Sequence, residues 1–131
     1  MSRDIISVNM PEIEATQSIA YSDVVEFPVN AENGVKIQNA TENKNNSLSI
    51  LIENVATSAS TVTFVAGDTY PNSMLGNLEI PLKESAVTVC QIQDISRFEN
   101  RDGSICLDFA AGFTGNITVV AKRAGITPLN L

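Results

Sequence analysis

The chain has 131 residues, a mass of 14.0 kDa and a net charge of −7, from 8 Lys and Arg against 15 Asp and Glu. This length is typical of one domain whose core is large enough to be stable without a disulfide or a metal. The absence of His excludes a His-based catalytic triad and a His-ligated metal site, and the acidic balance disfavours nucleic-acid binding, since phosphate neutralisation supplies much of that affinity.

Short segments in which apolar and polar residues alternate predict strands along most of the chain. In chain order the predicted strands are residues 23–29, 35–39, 47–54, 60–66, 78–80, 86–92, 105–109 and 117–121. Asn33-Gly34 and residues 101–104 predict tight turns, and residues 95–98 predict a corner or a short turn of helix. About eight short strands predict an all-β fold, a single antiparallel β-sandwich or a small barrel.

One side of each alternating strand is expected to face a common core. The predicted core residues are Phe27, Ile37, Leu48, Ile50, Ile52, Val62, Phe64, Val87, Val89, Phe98, Ile105, Leu107, Phe109, Ile117 and Val119.

Both ends of the chain differ from the middle. We predict an N-terminal arm at residues 1–20, a sandwich domain at 21–123 and a C-terminal tail at 124–131. Frayed termini are one interpretation. The other is that the ends order against a partner, because they carry apolar side chains that disordered tails usually lack. The candidate contact residues are Ile5, Ile6, Val8, Met10, Ile13, Ile126, Leu129 and Leu131.

The sequence contains no recognisable catalytic constellation, phosphate-binding loop or calcium loop, so we expect a non-enzymatic protein without a cofactor. Cys90 and Cys106 are expected to be buried thiols on strands, with a disulfide between neighbouring strands or a reactive thiol as alternatives. No apolar run is long enough to span a bilayer and the first residues lack the apolar stretch of a secretory signal, so no membrane partner is expected.

The few basic residues permit two interpretations. Arg97 and Arg101 are either ordinary surface charges balanced by nearby acidic residues or a small positive patch that docks on an acidic partner. Trp is absent, and only Tyr21 and Tyr70 could serve as exposed rings for stacking sugars, so a lectin-like role is disfavoured.

A longer pattern runs through about two-thirds of the chain. It comprises L-S-I-L-I-E-N-V-A-T-S-A-S-T-V-T-F-V-A-G-D at 48–68, L-E-I-P-L at 78–82, A-V-T-V-C-Q-I at 86–92, S-R-F-E-N-R-D-G-S-I at 96–105 and I-T-V-V-A at 117–121. This layout resembles the small all-β head-decoration and auxiliary capsid proteins of tailed bacteriophages and their prophages. In those proteins a strand ending near E-N precedes a T-V-T-x-x-A-G strand, and an S-R-F-x-N…D-G turn precedes the last two strands.

The resemblance implies a virion structural protein that is made in the host cytoplasm and placed on the outer face of the capsid. Its implied partner is the major capsid protein, with self-association on the particle as a further option and no nucleic acid. Two alternatives stay open. One is a sandwich module that recognises a glycan or receptor through Tyr70 and the 67–77 loop, and the other is a self-assembling tail or fibre subunit.

Overall fold

A computed structural model of the chain describes residues 3–8, 26–38, 40, 48–68, 72–92 and 95–121. Within these residues the chain forms nine strands, one short helix and one 3₁₀ helix. In order they are β1 (Asp4–Ile6), β2 (Phe27–Asn30), β3 (Val35–Ile37), β4 (Leu48–Asn54), β5 (Ser60–Phe64), α1 (Asn72–Leu75), β6 (Leu78–Leu82), β7 (Ala86–Ile92), the 3₁₀ helix (Ile95–Phe98), β8 (Ile105–Phe109) and β9 (Thr114–Ala121).

The strands form two separate sheets, so the predicted β-sandwich is confirmed and the small-barrel alternative is not adopted. The five-stranded sheet has the order β1-β3-β8-β5-β6, and the four-stranded sheet has the order β2-β9-β4-β7. Neighbouring strands are antiparallel except for β1 and β3, which pair in parallel.

The core lies between the sheets, and alternation along each strand decides which side chains enter it. In β4, Leu48, Ile50, Ile52 and Asn54 are buried and the residues between them are half-buried. Twelve of the fifteen predicted core residues belong to the buried cluster, and Phe27 packs against it while half-buried. The core also contains Leu82 and Phe113, which the alternation did not single out.

The prediction was wrong for Val87 and Val89, which are 54% and 60% exposed. The strand was placed correctly, but its faces were exchanged. Val89 lies opposite Leu51 on the outer face of β4, whereas Cys90 lies opposite the buried Ile50. A period-two pattern shows which residues share a face, and an error of one residue transfers the whole set to the other face.

Part of the segment predicted as an arm is a strand of the sandwich. The side chain of Ile6 is 4% exposed and belongs to the core, and Val8 packs against that core. The Asp4 amide donates to the Gly34 carbonyl at 3.1 Å, and the Arg3 guanidinium pairs with Asp108 while donating to the Leu107 carbonyl at 3.0 Å. Residues 9–20 and the 124–131 tail lie outside the described residues.

Candidate interaction surfaces

The described residues expose several large apolar side chains, and most of them lie in two places. The exposed set is Ile5, Val55, Met74, Leu75, Leu78, Val87 and Val89. We call Met74, Leu75 and Leu78 the α1 knob. We call the outward valines Val87 and Val89, together with the unpaired side of their strand, the β7 edge.

The α1 knob lies in the connection between β5 and β6 and at the start of β6, and it is largely exposed. Met74 is 73% exposed, Leu75 58% and Leu78 39%. Along β6 the inward-facing positions become progressively more exposed, from the fully buried Leu82 through the half-buried Ile80 to Leu78. A helix of four residues has no stability of its own in water, so tertiary contacts must hold it in place.

Arg97 supplies such contacts. Its Nη2 atom donates to the carbonyl oxygens of Leu75 and Gly76 at 3.3 and 3.2 Å, just where α1 ends. Gly76 has a φ of +78°, a left-handed conformation that suits glycine at the end of a helix. The guanidinium carbon lies 5.2 Å from the centre of the Phe98 ring, within the range of a cation–π contact.

The 3₁₀ helix that carries Arg97 confirms the corner or short turn of helix predicted for residues 95–98. This helix is attached to the core. The buried ring of Phe98 contacts that of Phe64 with 5.6 Å between centroids. The carbonyl of Arg97 accepts a hydrogen bond of 3.0 Å from the Gly67 amide. The Nε atom of Arg97 is buried and has no hydrogen-bond partner among the described residues. Arg97 is therefore a positioning residue for the α1 knob, and its direct contact with a partner stays a prediction.

On the outer face of the four-stranded sheet, exposure increases towards β7. Thr118 of β9, Leu51 of β4 and Val89 of β7 lie side by side in the strand register. Thr118 is 1% exposed, Leu51 is half-buried and Val89 is 60% exposed. The accessible apolar surface of this sheet is thus concentrated on its last strand.

The other candidate contact residues are divided between exposed and buried positions. Ile5 is 61% exposed, while the neighbouring Ile6 is committed to the core. Arg101 is exposed, and its main-chain amide donates to Asp68 Oδ1 at 3.0 Å. The remaining candidates, and Tyr70 with them, lie outside the described residues: Met10, Ile13, Ile126, Leu129 and Leu131.

Among the described residues, the carboxylate whose pKa is lowered most belongs to the turn before β8. Asp102 accepts hydrogen bonds from Lys36 Nζ at 2.7 Å and from the Ser104 amide and hydroxyl at 3.0 and 2.5 Å. The hydrogen bond from Lys36, followed by those from Ser104, lowers the pKa of Asp102 from 3.8 to about 2. These contacts close a turn and tie it to β3, so we assign the cluster a structural role.

The cysteines are free and lie in different sheets, Cys90 buried in β7 and Cys106 half-buried in β8. Burial raises the pKa of the Cys90 thiol, which makes it less reactive. Across the described ranges, three or more Asp, Glu or Cys side chains nowhere converge as they would around a metal ion. In the same ranges, neither helix is long and apolar enough to cross a membrane.

A shallow depression of about 460 Å³ lies between the turn after β2 and the turn before β9. Its lining includes Phe113, which stacks on Phe109 at 4.7 Å between ring centres, and one carboxylate, Glu32. The Thr114 hydroxyl, which also lines the depression, donates to the Gly112 carbonyl at 3.5 Å.

Comparisons with protein-family models, curated proteins and solved structures find no match to this chain. The resemblance to phage decoration proteins therefore stays a hypothesis based on the sequence pattern.

Proposed function

We propose that this chain is a non-enzymatic virion structural protein that decorates or cements the capsid of a tailed bacteriophage. In this role it lies on the outer surface of the particle and binds major capsid subunits through the α1 knob. The observation that carries the proposal is the exposure of Met74 and Leu75 on a short helix held to the core by Arg97.

The knob has the properties of a protein-binding element rather than of a mobile loop. Met, the type at position 74, is enriched at protein interfaces, and no charged residue lies among positions 72–78. Because Arg97 holds the carbonyls at the end of α1, the main chain of the knob has little conformational freedom left to lose on binding. The complementary partner is an apolar hollow on the capsid surface.

The composition also fits this role. The net charge of −7 keeps free subunits apart before they meet the particle. The sequence pattern that resembles decoration proteins includes the Ser96-Arg97-Phe98 corner, and that corner contains the residues that anchor the knob.

The alternative of glycan recognition places its site in the same 67–77 loop. The described part of this loop exposes Met74 and Leu75, flexible apolar side chains that offer no flat ring on which a sugar can stack. At these two positions the chemistry favours a protein partner, whereas Tyr70, the ring that the glycan alternative names, lies outside the described residues.

The test is binding to capsids of the encoding phage or prophage assembled without this protein. We expect the wild-type chain to bind at a copy number comparable to that of the major capsid protein. Leu75→Asp is expected to weaken binding about 30-fold, the effect of losing one interface hot spot of about 2 kcal/mol. Val55→Asp is the matched control, because Val55 is similarly exposed at 48% but lies in the turn after β4.

Arg97→Lys separates positioning from contact. Lysine keeps the charge but is shorter and lacks the planar guanidinium that lies 5.2 Å from the Phe98 ring centre, so it cannot hold both carbonyls, and binding is expected to weaken while the fold survives. Absence of the chain from purified particles would contradict the proposal and favour the stand-alone binding module. A low copy number would instead indicate a fibre or tail component. Equal binding by Leu75→Asp and Val55→Asp would remove the knob from the interface.

A further inference from the structure

We propose that two copies of this chain associate by antiparallel pairing of their β7 strands, which joins the two four-stranded sheets into one sheet of eight strands. The pairing is centred on Thr88. This inference goes beyond the proposed capsid function and does not depend on it.

The first argument is a comparison of the four sheet edges in the described structure. Exposed edges are normally protected by charged residues or proline, because their unpaired N–H and C=O groups can pair with another chain. Three edges carry such protection: Asp4 in β1, Pro28 in β2, and Glu79 with Pro81 in β6.

The β7 edge has none of these protective features. Its seven residues, Ala-Val-Thr-Val-Cys-Gln-Ile, include neither a charged residue nor proline, and among the described residues β7 pairs only with β4. Val87 and Val89 are β-branched, favour strand conformation and are more than half exposed. A long, uncharged strand with exposed apolar side chains is a favourable template for adding another strand.

The occupant is a second copy of the chain, because the β7 edge is complementary to itself and carries no charge that would repel its own copy. Each copy carries a net charge of −7, so most mutual approaches bring like charges together. The β7 edge is seven residues long without any charge. The nearest described acidic residue is Glu53, which lies opposite Val87 in the neighbouring strand β4. With Thr88 at the centre, Glu53 and the partner's Glu53 are three strand spacings and two residues apart, roughly 16 Å at about 4.8 Å per strand and 3.4 Å per residue, about twice a Debye length of about 8 Å.

The register follows from matching the two faces of the strand. Outward-facing residues must lie opposite outward-facing residues if the new sheet is to be continuous. Centring the pairing on Thr88 satisfies this condition. It places Val87 opposite the partner's Val89 and, by the two-fold symmetry, Val89 opposite the partner's Val87. The alternative centre at Val89 leaves Val87 opposite the partner's Gln91. The Thr88-centred register therefore pairs all four exposed valines with one another.

The same register extends an apolar row that already exists within one copy. Leu51 and Val89 lie side by side on the outer face, and the partner's Val87 comes next in that row. On the inner face Thr88 lies opposite the partner's Thr88, and Ala86 lies opposite the partner's Cys90. The pairing is thus a two-fold symmetric contact in which one patch is complementary to itself.

The first experiment measures the mass of the full-length chain by sedimentation equilibrium at concentrations up to about 1 mM, where even millimolar association is visible. We expect the wild type to reach twice the 14.0 kDa chain mass. Val87→Lys/Val89→Lys places four ammonium groups together in the paired state and is expected to weaken association at least about 100-fold. Val55→Lys, which adds one positive charge per chain at an exposed valine outside β7, is expected to dimerise like the wild type.

The second experiment tests the register and does not depend on how the lysine variant folds. Thr88→Cys brings two introduced thiols directly opposite each other, so mild oxidation is expected to give a disulfide-linked dimer. The wild type is the control, because Cys90 lies opposite the partner's Ala86 and has no thiol facing it. Val87→Cys, with its two thiols displaced by two residues along the pair, is expected to cross-link more slowly.

A monomeric wild type throughout the concentration range would overturn the proposal. So would a dimer that Val87→Lys/Val89→Lys leaves intact, because the contact would then lie elsewhere. Cross-linking through Val87→Cys but not Thr88→Cys would overturn the register. A dimer that fails to bind capsids would support the β7 pairing and refute the capsid function. A strictly monomeric chain that binds capsids would refute the β7 pairing and support the capsid function.

Discussion

Asn54 is the buried polar side chain whose removal has the clearest expected effect on stability. It is 1% exposed at the end of β4. Its Nδ2 atom donates to the carbonyls of Ser58 and Lys83 at 3.0 and 3.1 Å, and its Oδ1 atom accepts from the Ala56 amide at 3.1 Å. The side chain therefore connects two turns that each cross between the sheets, the turn from β4 to β5 and the turn from β6 to β7.

Asn54→Ala removes all three hydrogen bonds. At about 1 kcal/mol for each, the free energy of unfolding is expected to fall by about 3 kcal/mol. The cost stays near this value because Ser58 and Lys83 are exposed and water can reach their carbonyls. For a domain stabilised by about 5–15 kcal/mol, this is a large fraction of the total. Asn54→Asp is expected to cost at least as much, because a carboxylate oxygen would replace the donor that faces two carbonyls.

Urea unfolding followed by circular dichroism measures the change, with an unchanged slope as the check on two-state behaviour. Asn116→Ala is the matched control. Asn116 is half-buried in the adjacent strand β9 and donates one hydrogen bond, to Glu53 at 3.3 Å, so its loss should cost less than about 1 kcal/mol. Equal destabilisation by Asn54→Ala and Asn116→Ala would refute the reasoning, since the two differ chiefly in burial and in the number of bonds.

Two further predictions concern packing and pH. Gly115→Ala is expected to lower the free energy of unfolding by about 2 kcal/mol or more in a urea titration, because the added carbon would overlap the Glu53 carbonyl oxygen between β9 and β4. An unchanged midpoint of urea unfolding would contradict this. Lys36→Met is expected to raise the pKa of Asp102 from about 2 towards 3.8 in a carboxyl NMR titration. The lowered pKa belongs to the folded state, so the stability that Lys36 adds is present above about pH 4 and is lost as the pH falls through about 2. The free energies of unfolding of the wild type and the variant should therefore become equal near pH 2.

Strand positions could be predicted well because the pattern that defines a strand is local. The alternation in 47–54 and 60–66 depends on neighbouring residues, and β4 and β5 form within those limits. The Asn33-Gly34 turn is confirmed for the same reason, since Gly34 adopts a φ of +73° that a β-branched residue would resist.

The candidate surfaces could be predicted only in part. The Ser96-Arg97-Phe98 segment was recognised as distinctive, but the hydrogen bonds that direct Arg97 towards α1 join residues about twenty positions apart. Ile5 and Ile6 are neighbours of the same chemical type, and only the pairing of β1 with β3 exposes one and buries the other. A signal for Asn54 was present in the sequence, as a polar residue at a core position of an otherwise apolar face.

By itself the sequence determined that this protein is all-β, where most strands lie and which residues share a face, because propensity and period-two alternation act over a few residues. The tertiary structure decided that the strands form two separate sheets, that the valines of β7 face outward on an unprotected edge, and that Arg97 holds the carbonyls at the end of α1. Each of these depends on which strands become neighbours, and that is settled by packing between residues distant in the chain.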